Sequence, residues 1–168
     1  MITQIELDEV EKRLCSFIAK HRQANNRAIS PVNKALVSKE DPLHVDTEGV
    51  MSELALCKAL DVYPYELFDV RPRSAINGED NGDVFYKGIC IDVKVTKHKN
   101  GKLVCLHKNP AIDVVVLMTG EFGKYEIKGG VAVDEMFVDS NYGLPKGFSR
   151  KCYWLSQDRL KSLEELFD

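Results

Sequence analysis

The sequence predicts an α/β fold, a mixed β-sheet flanked by helices, and three observations carry that expectation. A helical apolar period opens the chain, short alternating strands follow in its middle, and "AIDVVVLMTG" is a nearly unbroken apolar run. Such a run is the pattern of a central strand covered on both faces. With 168 residues, 44% of them hydrophobic, the chain is long enough for one sizeable core and too short for two full domains. We expect one domain over 1–168, with an N-terminal helix and basic loop in 1–45 and the core in 46–168.

The first helix rests on Leu7, Val10, Leu14, Phe17 and Ile18, which recur at helical spacing, with Thr3 and Glu6 as a capping box. It is expected over about 4–22. The polar stretch "RQANNRAISPVNK" then reads as a surface loop that presents Arg22, Arg27 and Lys34. A second helix is predicted over 47–60. At 100° per residue, Val50, Leu56, Cys57 and Leu60 lie within about 60° of Glu53 around the axis, so that carboxylate is on the inward face. A buried carboxylate must be protonated, paired with a cation or bound to a metal.

The turn-rich segment "RPRSAINGEDNGD" carries Arg71 and Arg73 and delivers the chain to Asp83. A short strand over 83–86 is followed by a longer one over 88–98. In the longer strand Ile89, Ile91, Val93 and Val95 share one face and Cys90, Asp92, Lys94 and Thr96 the other. Asp92 and Lys94 therefore project together, about 7 Å apart along the strand. The Asn-Gly pair in "KNGK" predicts a hairpin with "KLVCLHK", which would set Val95 opposite Leu106, Thr96 opposite Cys105 and Lys94 opposite His107. Further strands are expected in "KYEIKGGVAV", and "SQDRLKSLEELF" reads as a closing helix capped by Ser156.

Composition narrows the function classes. No apolar stretch resembles a signal peptide, and the longest run, Val114 to Met118, is too short for a bilayer, so a soluble, cytoplasmic protein without a membrane partner is expected. Five widely spaced cysteines (Cys15, Cys57, Cys90, Cys105, Cys152) with no C-x-x-C pair argue for buried free thiols. The net charge of -3 conceals an alternation: residues 11–39 carry +6, residues 40–69 carry -7 and residues 87–108 carry +5. Two basic blocks flanking an acidic one suit a phosphate-binding surface beside a metal pocket. His98 and His107 lack cysteine partners at zinc spacing, and His44, Asp46 and Glu48 fit the polar lead-in to a helix better than a metal site. No Walker loop, GxGxxG or G-x-S-x-G elbow is present.

Glu53, Asp83, Asp92 and Lys94 make one constellation: three carboxylates and a lysine. Oxygen-rich, incompletely saturated sites of this kind suit Mg²⁺ or Mn²⁺, which keep waters and share coordination with phosphate oxygens. Phosphodiester hydrolysis is the matching chemistry.

With its helical Glu53, its Gly82-Asp83 step and its Asp92-Val93-Lys94 triplet, the sequence resembles the PD-(D/E)XK nuclease superfamily over about Gly49 to Met118. "GVMSELALCKAL" and "IDVKVTKHKNGKL" look like phage-encoded members. Gly82 stands where the family name puts Pro, and the final acid is Asp rather than Glu. The resemblance implies a nuclease-like domain with a restriction-endonuclease-like core and a Mg²⁺-dependent deoxyribonuclease in which Mn²⁺ substitutes. Asp83 and Asp92 would be metal-binding acids, Glu53 a further ligand, Val93 a carbonyl donor and Lys94 the catalytic lysine. DNA would be the partner, held through its phosphates by Arg22, Arg27, Lys34, Arg71, Arg73, Lys97, Lys99 and Lys102. A homodimer, common in the group, would pair two sites across a duplex. The setting would be the cytoplasm of a bacterial host, in phage DNA processing, recombination or degradation. The alternative is a non-catalytic nucleic-acid-binding or protein-interaction module on the same fold, and RNA cleavage would use the same residues.

Overall fold

The computed structural model describes residues 3–27, 41–71 and 82–168. Its strands are β1 (Gln4–Glu6), β2 (Val84–Tyr86), β3 (Ile89–Thr96), β4 (Leu103–Cys105), β5 (Val114–Glu121), β6 (Lys124–Ala132), β7 (Tyr142–Gly143) and β8 (Cys152–Leu155). Its α-helices are α1 (Glu9–Arg27), α2 (Pro42–Leu60), α3 (Val133–Met136) and α4 (Leu163–Phe167). A five-stranded sheet runs in the order β1-β6-β5-β3-β2, and a three-stranded antiparallel sheet in the order β4-β8-β7. Only β3 and β5 run parallel in the larger sheet; its other pairs are antiparallel. The fold is thus a mixed α/β sheet flanked by helices.

β5 is the central strand, and its alternation divides the core. Val114, Val116 and Met118 join the cluster under α1 and α2, whereas Val115 and Leu117 join a second cluster with Leu103, Cys105 and Leu155 of the small sheet. Both faces are covered, as the unbroken apolar run predicts. All five cysteines are buried free thiols. Among the described residues no helix is long and apolar enough to cross a membrane.

The chain start differs from expectation. Residues Gln4–Glu6 pair with β6 instead of opening a helix, and the cap is Asp8, not Thr3. The Asp8 carboxylate accepts from the N–H groups of Val10 and Glu11 at 2.8 Å, and the Glu11 carboxylate accepts from the Asp8 N–H at 2.7 Å. This is a reciprocal capping box five residues further on. The buried stripe shifts with it: Cys15, Ile18 and Ala19 point inward, while Val10 and Phe17 are exposed.

Helix α2 begins at Pro42, with Asp41 as its N-cap, and Glu53 is buried as its inward position requires. Glu48 pins the same helix to the β5–β6 turn, accepting from the Phe122 N–H at 3.0 Å and from the Tyr125 hydroxyl at 2.5 Å. Near the end of the chain Ser156 precedes only a 3₁₀ turn. Ser162 caps α4 instead, in a capping box with Glu165.

The Asn-Gly hairpin is not formed. Residues 98–101 do turn, with the Gly101 N–H donating to the His98 carbonyl at 2.8 Å, but β4 then joins β8 in the small sheet. β5 takes one edge of β3 along Ile91–Thr96 and β2 the other along Ile89–Ile91, while β4 finds its partner in β8. Lys94 lies beside Leu117, not opposite His107. The two-residue hairpin falls instead at Lys87-Gly88, between β2 and β3, where both residues have positive φ (50° and 83°).

Candidate active site

The site begins with the pleat of β3. Ile91 and Val93 pack under the helices, which leaves Asp92 and Lys94 on the face toward the small sheet. There the Lys94 ammonium meets both carboxylate oxygens of Asp92, at 2.8 Å and 2.6 Å. Burial pulls that ammonium down, but Asp92 and Asp83 outweigh it and hold Lys94 above its ordinary value. Lys94 is therefore a cation at neutral pH.

Asp83 arrives from the other side. Antiparallel pairing of Val84 with Ile91 carries Asp83 to the level of Asp92, where its N–H donates to the Ile91 carbonyl at 2.8 Å. Its carboxylate accepts from the Val93 N–H at 2.7 Å. Burial, then Glu53, then Asp92 push the Asp83 carboxyl well above its ordinary value, against the pull of the Val93 N–H and Lys94. Negative charge here is in excess.

Gly82 explains why the step before Asp83 is not Pro. It has φ +80°, a left-handed conformation closed to Pro, and a Cβ there would stand 2.6 Å from Cys90 Sγ and 3.0 Å from the Ile91 carbonyl oxygen. Only glycine brings the chain this close to β3.

Glu53 approaches from α2. Its carboxylate pairs with the Arg22 guanidinium at 2.9 Å, and Arg22 also donates to the Glu66 and Leu67 carbonyls at 3.0 Å each. Arg22 was expected to reach phosphate from a surface loop. It lies instead within α1, which extends past residue 22, and its guanidinium is turned inward to bind α2 to the 3₁₀ turn at Glu66–Phe68.

The donor set is of the kind a hard divalent ion takes: three carboxylates, Glu53, Asp83 and Asp92, against two cations, with Arg22 paired to Glu53 and Lys94 to Asp92. Among the described residues no three carboxylate, imidazole or thiol groups are already closed around one point. Mg²⁺ does not demand such a cage, because it is usually held by one or two carboxylates together with waters and phosphate oxygens. Asp83 and Asp92 are carboxylates in the number this asks for, although both oxygens of Asp92 contact Lys94, and Glu53 and Asp92 act on Asp83 electrostatically.

Asp92 and Lys94 open into a cavity of about 440 Å³ between the two sheets. His107 lines it too, so it does come near Lys94, though through the loop after β4 and not through a hairpin register. Leu106, Ile112 and Phe137 supply its apolar wall. Nothing in the sequence pattern marks them as site residues, because they gather only once the small sheet has folded over β3.

The remaining basic residues scatter. Lys97 and Lys99 line a separate concavity of about 500 Å³ with Lys124. Lys102 rests on the Trp154 ring, 4.1 Å from its centroid, and Arg71 forks onto Asp69, its Nη2 2.6 Å from Oδ2. The side chain of Arg27, and Lys34 and Arg73, lie outside the described residues. His44 packs on Phe122 and Asp46 accepts from Gln23, so with Glu48 they serve α2 and its packing.

Comparison with models of known protein families, with curated proteins and with solved structures finds no match.

Proposed function

We propose that this chain is a Mg²⁺-dependent nuclease that hydrolyses DNA phosphodiester bonds. The observation behind this reading is that Asp92 and Lys94 pair at the wall of one cavity, while Asp83, held by the Val93 N–H, sits close enough to feel the charge of Glu53 and Asp92. When bound, a divalent ion would polarise the scissile phosphate and lower the pKa of a water. Asp83 and Asp92 would hold that ion, with the Val93 carbonyl and Glu53 as further donors. Asp83 is already oriented for this by the Val93 N–H.

Lys94 has a narrower role than a base. As an ammonium it cannot accept a proton; it can donate hydrogen bonds to the attacking water or to a phosphate oxygen and offset the charge that develops there. Lys97, Lys99 and Lys102 would meet flanking phosphates, while Arg22 supports the site from behind. A phage protein acting in the cytoplasm of its bacterial host, on the restriction-endonuclease-like core implied by the resemblance, is the setting we infer.

The test is cleavage of supercoiled plasmid, end-labelled linear duplex, a four-way junction and RNA with Mg²⁺, Mn²⁺ or EDTA. Metal-dependent cutting of DNA that Asp92→Asn abolishes supports the reading, and the substrate profile names the subclass. A rival reading, a non-catalytic binding module, draws on the Glu53–Arg22 pair, which neutralises one candidate ligand. It predicts DNA binding without cutting, unchanged in Asp92→Asn.

A further inference from the structure

We propose that the cavity beside Asp92 and Lys94 receives an unpaired nucleobase from the strand being cut, which makes single-stranded, flapped or frayed DNA the substrate class. The inference rests on the nuclease reading for the word "cut" and on the cavity itself for the base.

The chemistry of the walls selects the occupant. A phosphate needs cations and donors, and the cavity supplies these at Lys94, at Asn109 and at a rim where His107 and Lys108 are exposed. Much of the remaining lining is apolar: Val115 lies beside Asp92 in the parallel register, and Leu106, Ile112, Val133 and Phe137 line the cavity with it. At about 440 Å³ the space is within the range of small-molecule sites. A flat ring with apolar faces and a polar edge, tethered to an anion, matches such a space: the ring would lie against Phe137 and the apolar wall while its phosphate stays at Lys94 and the carboxylates.

Pairing decides which bases can enter. In a duplex each base has its faces covered by its neighbours and its edge by the partner strand, so a base reaches a pocket only when it is unstacked and unpaired. A base already free incurs no such cost. Phe137 packs against Tyr153, ring centroids 4.8 Å apart and planes tilted 57°, and Tyr153 packs in turn against Tyr142 at 5.0 Å. The aromatic wall is therefore positioned before any ligand arrives.

The test is binding in EDTA, so that chemistry plays no part. The probes are a single-stranded oligonucleotide carrying a fluorescent adenine analogue, the same strand fully paired, a duplex with that base unpaired, and the last with an abasic position in its place. Wild type should bind the unpaired forms about five- to a hundredfold more tightly than the paired duplex, as expected for one stacked base. The abasic form should lose that gain, and the emission of the analogue should change on binding. Leu106→Trp, which fills the cavity from the loop, should remove the preference and leave paired binding intact. If that variant does not fold, Phe137→Ala and the abasic probe decide the matter.

Equal affinity for paired and unpaired forms, or emission that does not respond in wild type, overturns the inference. The two readings fail separately. Cutting with Mg²⁺ but no preference for an unpaired base overturns the pocket and keeps the nuclease; preference without metal-dependent cutting does the reverse. No binding to any probe overturns both.

Discussion

At the scale of single residues, the site is a balance of charges that its neighbours only partly settle. Arg22 settles Glu53: with Glu53 buried and Arg22 largely so, the pair is worth most as protection against an unpaired carboxylate. Arg22→Met should destabilise the protein by about 3 kcal/mol, and Arg22→Met with Glu53→Leu should recover most of that, read as a double-mutant cycle in denaturant. Asp83 is left unsettled, and the sign of its pH effect follows. A carboxyl whose folded value is raised favours the folded state while protonated, so its contribution is present below the ordinary Asp value and is lost as pH rises through the elevated one. At neutral pH, without metal, Asp83→Asn should therefore raise Tm and flatten its dependence on pH. Mg²⁺ should raise the Tm of wild type and leave that of Asp83→Asn unmoved. A wild-type Tm indifferent both to Mg²⁺ and to pH above the ordinary Asp range would contradict this charge balance.

At the scale of elements, what was legible followed from periodicity, and what was not followed from competition between partners. The alternation in β3 gave the shared face of Asp92 and Lys94, and the apolar arc of α2 gave the inward Glu53; both are local properties of one element. The Asn-Gly turn was equally local, yet the strand after it pairs with β8, Leu103 beside Leu155, a partner far along the chain that no local pattern marks. Arg22 was misplaced for a similar reason. Its polar surroundings resemble a loop, whereas the ion pair that holds it forms with Glu53, 31 residues on. The cavity was invisible, since its wall joins β3 to a sheet whose strands lie on both sides of β5 in the chain. Gly82 is where element and motif conflict: Gly82→Ala should cost about 2–4 kcal/mol in a thermal or denaturant melt, from left-handed backbone and overlap with Cys90. Gly82→Pro, whose ring cannot adopt the positive φ of this position, should be worse still. Either substitution melting like wild type would show that this approach to β3 is less tight than the geometry implies.

At the scale of the whole molecule, two faces with different chemistry meet at the parallel pair β3–β5. The helix layer shields one side of the sheet, and the small sheet leaves a cavity on the other with the charged pair at its wall. Just past the C-terminal end of β3, Lys97 and Lys99 line a second concavity with Lys124, so a strand of phosphates could run from one to the other despite the net charge of -3. DNA affinity should accordingly fall steeply with salt, and replacing Lys97 and Lys99 together by alanine should lower the slope of log K against log salt by about 2. A slope unchanged by that pair would remove this path from the account. The central claim is nevertheless the chemistry at Asp92 and Lys94. The most direct measurement is the single-turnover rate of cutting one labelled DNA by wild type, Asp92→Asn and Lys94→Ala, at saturating protein with Mg²⁺. The account predicts cutting by wild type and, with DNA binding retained, a loss of about a hundredfold or more in each variant. Variants that cut as fast as wild type, or a folded wild type that binds DNA and Mg²⁺ but never cuts, would contradict it.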